Sequence, residues 1–421
     1  MTAAPERPSF AAALRFWLLL GCISFGGPAG QIAIMHAELV DRRRWVDEQE
    51  FARALDVCML LPGPEATQLA TWIGWRLHGL RGGVVAGVLF ILPASLLLAL
   101  LSWLYMAGRA YPSVQGVVFG LQAAVLGLLA AALDRLGRRV LKGAFARGLA
   151  VAALVAIAAG VPFPAVVLAA ALAGLVRSGT GTGPTAPIRA VDGAGDRAPS
   201  LARSLATAAS LAVAWLAPLA AIGAWLGTDS TLFRLGAFLS KAALVTVGGA
   251  YAVLPYVAAH AVDTYAWLSP AQMMSGLALA ETTPGPLILV LEYVGFVAGW
   301  RQPDLATPLS SALAAAAVAL WATFVPSFMF VLTLAPWIER IGRWRRAAAA
   351  LSGVTAAVVG VIAHLALWFA YNLLAHATPA RAVLATAIAL AVYVGIARRG
   401  WPVPLVVVAC GLVGAATGLR V

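Results

Sequence analysis

The stretch Leu60-Leu61-Pro62-Gly63-Pro64-Glu65-Ala66-Thr67 lies inside an apolar run that no unbroken helix can cross. Proline removes a backbone donor and clashes with the preceding turn, and glycine leaves its peptide groups unshielded. A second copy, Thr282-Thr283-Pro284-Gly285-Pro286-Leu287, follows 222 residues later, counted from Pro62 to Pro284. Unpaired peptide groups facing lipid cost several kcal/mol each, so irregular backbone at membrane depth is confined to the protein interior or to a watery cavity. Two breaks at corresponding places in two halves of a chain point to a transporter's substrate site.

Composition supports the membrane setting. Of 421 residues, 62% are hydrophobic and 11% charged, with a mean hydropathy of +0.90. Apolar runs near the ~20 residues that span ~30 Å of hydrocarbon recur along the chain, which reads as an all-α polytopic membrane protein. Met1 to Ser9 is polar and Arg15 interrupts the first apolar run, so no cleavable signal is expected. Cys22, Cys58 and Cys410 are widely separated and read as packing residues. The net charge of +12 sits in a few loops, where it acts as a topology signal compatible with an anionic substrate; nucleic acid is not an expected partner. Nucleotide-binding glycine patterns, His-Glu-x-x-His and paired-cysteine motifs are missing, so the expectation is no enzyme, no cofactor and no metal. Any accumulation would then draw on an ion gradient or the membrane potential.

The chain is internally duplicated. At an offset of 222, Gly26-Gly27 aligns with Gly248-Gly249, Asp41 with Asp263, Trp45 with Trp267 and Pro62-Gly63-Pro64 with Pro284-Gly285-Pro286. Farther on the offset is 233, pairing Pro93 with Pro326, Gly120 with Gly353 and Gly127 with Gly360. Eleven residues are therefore inserted in the second half, around Trp300 to Pro308. The division reads as a first repeat over 1–177, a flexible cytoplasmic linker over 178–203, an unpaired transmembrane helix over 204–230, and a second repeat over 231–421.

Basic residues crowd Arg42 to Arg44 and Arg135 to Arg147 in the first half, with little charge near Arg109. In the second half the loop matching Arg109 carries Arg340, Arg343, Arg345 and Arg346, and the other matching loops are nearly bare. The swap predicts two repeats of inverted topology, with the unpaired helix supplying the odd crossing and the N-terminus and linker cytoplasmic. Parity makes the Pro62-Gly63-Pro64 segment a re-entrant hairpin; a single helix unwound at its centre fits the same pattern. Phe10 to Val40, broken at Gly26-Gly27-Pro28, has the same build.

Packed about a pseudo-twofold axis in the membrane plane, the four breaks meet near the bilayer midplane. Each restarts a helix, and a helix start offers unpaired N–H groups and partial positive charge to an oxyanion. The expected substrate-binding set is Gly26, Gly27, Gln31, Pro62, Gly63, Pro64, Thr67, Gln68, Lys241, Thr246, Gly248, Gly249, Thr282, Thr283, Pro284, Gly285 and Pro286. Thr67, Gln68, Thr282 and Thr283 read as donors to bound oxygens, and Lys241 as a partial counter-charge for a dianion. Glu65, Glu281 and His36 are candidates for proton coupling. The competing reading has Glu65 capping its helix, Lys241 snorkelling and His36 at the interface.

Phe25-Gly26-Gly27-Pro28-Ala29-Gly30-Gln31, Arg42-Arg43-Arg44-Trp45, Leu60-Leu61-Pro62-Gly63-Pro64-Glu65, Phe90-Ile91-Leu92-Pro93 and the second-half motifs resemble the chromate ion transporter (CHR) family in its long two-domain form. The resemblance implies a multi-pass protein of the bacterial inner membrane that exports chromate, confers chromate resistance and uses the proton motive force. Many family members carry a histidine where this chain has Gln31, so no protonation role is assigned there. Sulfate, also a tetrahedral dianion, is the alternative substrate, a channel the alternative transport mode, and a homodimer is compatible with the sequence.

Cysteines introduced at Arg43 and Arg343 should be labelled from the cytoplasm and one at Thr264 from outside. Finding Arg43 and Thr264 on one face contradicts the inverted repeats.

Overall fold

The computed structural model describes residues 8–25, 27–179, 200–247, 249–338, 345–375 and 377–417. The sequence readings at Gly26, Gly248, Arg340 and Arg343, and most of the linker, fall outside these residues. Sixteen α-helices make up the described chain, with no strand among them. The first half holds α1 (Phe10–Ile23), α2 (Gly27–His36), α3 (Glu48–Leu60), α4 (Glu65–Gly108), α5 (Pro112–Val140), α6 (Ala144–Ala158) and α7 (Phe163–Gly179). After α8 (Leu201–Leu226) come α9 (Thr231–Val245), α10 (Ala250–Ala259), α11 (Pro270–Thr282), α12 (Val290–Arg301), α13 (Pro308–Leu334), α14 (Arg345–Leu374), α15 (Pro379–Arg399) and α16 (Val403–Ala416). Helices α4, α5, α8, α13, α14 and α15 are long and apolar enough to cross a membrane.

Local rules set the helix starts. Ser9 and Ser230 accept from backbone N–H groups at the head of α1 and α9. Asp47 and Ser269, equivalent at the 222 offset, cap α3 and α11, and Ser269 forms a capping box with Gln272. A single π-helical segment follows α2 at Ala37–Arg42 and recurs after α10 at His260–Thr264.

Helix α4 is itself a hairpin, bent back at His78 and Gly79, where Gly79 takes φ 67°. Its arms touch because Gly74 and Gly82 lack side chains: a Cβ on Gly74 would stand 2.4 Å from the Gly82 carbonyl oxygen. In the second half α12 and α13 make the same turn, with a Cβ on Gly299 falling 2.4 Å from the Ser311 carbonyl oxygen. The inserted residues thus lengthen a tight bend into the loop at 302–307.

The broken segments turn back on themselves. Trp45, beyond the first break, returns to Phe16 on α1 with ring centroids 5.3 Å apart, and Trp267 returns to Phe238 on α9 at 6.1 Å. Arg76, ending the first arm of α4, pairs with Glu50 at the head of α3 at 2.8 Å. Arg301, ending α12, donates to the Trp267 carbonyl at 2.9 Å, beside the head of α11.

Long helices pack across the halves. The second arm of α4 runs antiparallel to α13, since Gly83 faces Leu332 and Gly87 faces Phe328. Each terminal hairpin packs on the other half's helix: α15 and α16 on α5, α6 and α7 on α14. Glycines at equivalent positions seat them. A Cβ on Gly120 would strike the Cys410 carbonyl at 2.0 Å, and one on Gly353 the Ala170 carbonyl at 2.2 Å.

Candidate functional site

The four breaks repeat their backbone in pairs. Ser24, ending α1, has φ −79° and ψ 72°, and Thr246, ending α9, has −76° and 81°. Leu61 and Thr283, ending α3 and α11, have −86° and 147° and −86° and 146°. Gly27, Gly63, Gly249 and Gly285 all have positive φ, at 69°, 123°, 95° and 109°. A side chain there is strained, which is why glycine stands at all four.

Each Pro-Gly-Pro turn is tied to the break of the other half. The Gly63 N–H donates to the Thr246 carbonyl at 2.8 Å, and the Gly285 N–H donates to the Ser24 carbonyl at 2.7 Å. These bonds are equivalent under the duplication, and the Tyr251 hydroxyl on Glu281 joins the two pairs, which brings the four breaks together. Gln31 also donates to the Ser24 carbonyl, at 3.4 Å, and Gln68 Nε2 donates to the Pro62 carbonyl at 2.7 Å. Ser327 of α13 reaches the first turn, its Oγ lying 2.6 Å from where a Cβ on Gly63 would stand.

Glu65, the first residue of α4, points its carboxylate at the opposite half, with Oε1 3.2 Å from the Cβ position of Gly249. Tyr251, one residue into α10, donates its hydroxyl to Glu281 Oε1. Among the described residues, Ser24 Oγ, Gln31 Oε1, Thr67 Oγ1, Gln68 Oε1 and Ser327 Oγ are buried without a hydrogen-bond partner. Such groups are costly to leave unmade, and an oxyanion or water would satisfy the hydroxyls.

Several expectations are corrected. Lys241 is exposed on α9, on a stripe with Arg234 and Leu244, whereas Phe238, Leu239, Ala242 and Thr246 face inward. It therefore points away from the breaks and balances no charge there. His36 lies at the far end of α2, bonded to Glu48 at 2.7 Å and paired with Asp41 at 3.4 Å, so it belongs to the surface end of the hairpin. Thr282 and Thr283 donate to the carbonyls of Leu279 and Ala280, which leaves their hydroxyl hydrogens engaged within α11. Three breaks restart as α-helix, at α2, α4 and α10, but the second Pro-Gly-Pro restarts as a 3-10 turn, Leu287–Leu289, before α12.

The structure adds Ser327 and a buried pair across the halves, Ser95 of α4 and Glu292 of α12. Glu292 carried a sequence signal, a carboxylate inside an apolar run. Ser95 and Ser327 carried none that distinguishes them from other small residues in helices.

The family described as Chromate transporter matches residues 11–175 and 233–415. A chromate transport protein of Pseudomonas aeruginosa is 33% identical over 364 residues, covering 86% of this chain and 81% of the relative. A chromate transport protein of Cupriavidus metallidurans is 29% identical over 349 residues, covering 82% and 79%. A probable chromate transport protein of Synechococcus elongatus is 27% identical over 353 residues, covering 83% and 81%. No solved structure matches the chain.

The geometry separates two glycine substitutions. Gly27→Ala meets nothing within 4 Å and costs only its positive φ, about 1 kcal/mol. Gly63→Ala also drives a methyl into Ser327 Oγ and into Gln68 Nε2 at 2.8 Å, adding about 1–3 kcal/mol. Thermal unfolding of the detergent-solubilised protein should show the larger drop for Gly63→Ala; equal drops contradict the packing of this turn.

Proposed function

The chain belongs to the chromate transporter family, and we propose that it is a secondary transporter exporting chromate across the bacterial inner membrane, driven by the proton motive force and conferring chromate resistance. The observation that carries this reading is the reciprocal tie of the four breaks, Gly63 to Thr246 and Gly285 to Ser24. It gathers helix starts and unpartnered hydroxyls where two halves of one backbone pattern meet. A tetrahedral dianion needs donors from several directions, and neutral donors held by the fold supply them without a permanent counter-charge.

On this reading the halves are inverted repeats that rock about the cluster, opening it alternately to the two sides. Thr67, Gln68 and Ser327 of one wall and Gln31 and Ser24 of the other hold the anion's oxygens, with Gln68 and Gln31 turning their amide donors inward when substrate enters. Glu65 and Glu281 sit beside the cluster, so a bound dianion and ionised carboxylates repel one another. Chromate binding then raises their affinity for protons, so exchange of the two ions requires that the coupling proton cross on the leg that returns without chromate. The N-terminus and residues 178–203 lie on the cytoplasmic side in this orientation. A general oxyanion carrier that also takes sulfate is the second reading, because the same hydroxyls and amides present nothing that separates two tetrahedral dianions.

Uptake of labelled chromate into everted membrane vesicles tests the proposal. Saturable uptake that rises with an imposed acid-inside gradient and resists excess sulfate is expected. Uptake abolished by sulfate favours the general carrier, and linear, gradient-independent flux contradicts coupled transport.

A further inference from the structure

Resting on the reading of proton-coupled export, we propose that Glu292 is the carboxyl group that carries the coupling proton. Glu292 is 2% exposed, on α12 where that helix packs against α4 and α13. Its Oε1 accepts a hydrogen bond from Ser95 Oγ of α4 at 3.0 Å, and among the described residues its Oε2 has no partner. The neighbour of Ser95, Ala94, lies 2.6 Å from where a Cβ on Gly285 would stand, so the pair adjoins the second Pro-Gly-Pro turn.

Among the described residues, no cation faces this carboxyl. Helix α13 and the 3-10 turn at 287–289 carry no charged or histidine side chain, and α11 carries Glu281, taken by Tyr251. Arg234 and Lys241 of α9 are exposed. On α4, Glu65 sits at Gly249, Arg76 pairs with Glu50, His78 bonds the Pro8 carbonyl and Arg81 is exposed, which leaves Tyr105 against the neighbouring Tyr293. An ionised carboxylate with one hydrogen bond and no counter-ion in an apolar interface costs several kcal/mol, so Glu292 holds its proton in this conformation.

The duplication argues against a purely structural role. The equivalent position in the first half is Ala70, fully buried in the matching hairpin, so the backbone pattern does not need a carboxyl there. What Glu292 adds is a condition: it ionises only when α4 and α12 part far enough to admit water. Parting these helices moves Ala94 away from Gly285 and opens the cluster on that side. The carboxylic acid releases its proton to water on one face, the carboxylate takes a proton back on the other, and one proton crosses inward per cycle as chromate leaves.

The test is Glu292→Gln, in everted vesicles, with two readouts: accumulation of labelled chromate driven by an acid-inside gradient, and exchange of labelled chromate against unlabelled chromate inside. Glutamine keeps an acceptor for Ser95 and cannot ionise. Accumulation should fall to the level seen without a gradient while exchange continues and loses its pH dependence. Retained gradient-driven accumulation overturns the proposal, as does loss of both activities from protein still present in the membrane. Should the variant not reach the membrane, Ser95→Ala decides: a shifted pH profile of accumulation supports the proposal and an unmoved one overturns it. Wild-type vesicles without saturable flux in either assay overturn the transport reading itself, and this inference with it.

Discussion

Two hydrogen bonds organise the molecule: Gly63 N–H to the Thr246 carbonyl and Gly285 N–H to the Ser24 carbonyl. Backbone broken inside a membrane protein must find its partners within the protein, because lipid offers none. Neither half pairs these two turns by itself; each offers a free amide at its Pro-Gly-Pro and a free carbonyl at its first break. The terminal hairpins repeat the logic on a larger scale, each seated on glycines of the opposite half at Gly120 and Gly353. The halves are therefore interlocked rather than merely adjacent, and the cluster of breaks exists only when both are present.

Backbone and side chains divide the work differently. The backbone pattern is duplicated down to the dihedral angles at Ser24 and Thr246 and at Leu61 and Thr283. The titratable groups are not. Glu65 corresponds to Leu287, Glu281 to Met59 and Glu292 to Ala70. On the proposed reading, a symmetric frame lets the opening face either side at similar energy, and carboxyls without counterparts in the other half are what would make the two openings differ toward protons. That combination suits a device in which one ion's gradient moves another.

The sequence carried the duplication, the positions of the breaks and their backtracking, because glycine, proline and tryptophan register are backbone constraints readable from one chain. It also located the insertion, which the structure places between α12 and α13. The direction of Lys241 was legible but outweighed by its place in an apolar run: Arg234 stands seven residues before it, which puts both cations on one stripe of α9 away from Phe238, Leu239 and Ala242. His36 reads from the sequence either as a proton-coupling candidate or as an interfacial residue, and its tertiary partner, Glu48, places it at the surface end of the hairpin. The seating of each terminal hairpin on the other half depends on long-range contacts that leave no local signature. Glu292 was visible as a carboxylate in an apolar run, yet without glycine or proline beside it nothing tied it to the breaks until Ser95 and Ala94 placed it against Gly285.

Chromium is its own label, so crystals of the protein grown with chromate and measured at the chromium absorption edge locate the anion directly. The account predicts one dominant anomalous peak at the cluster of breaks, within hydrogen-bonding distance of Thr67, Gln68 and Ser327 and of the Ser24 hydroxyl. A dominant peak elsewhere, for instance in the pocket lined by Gln122, Ser269, Asn372 and Arg381, would contradict it.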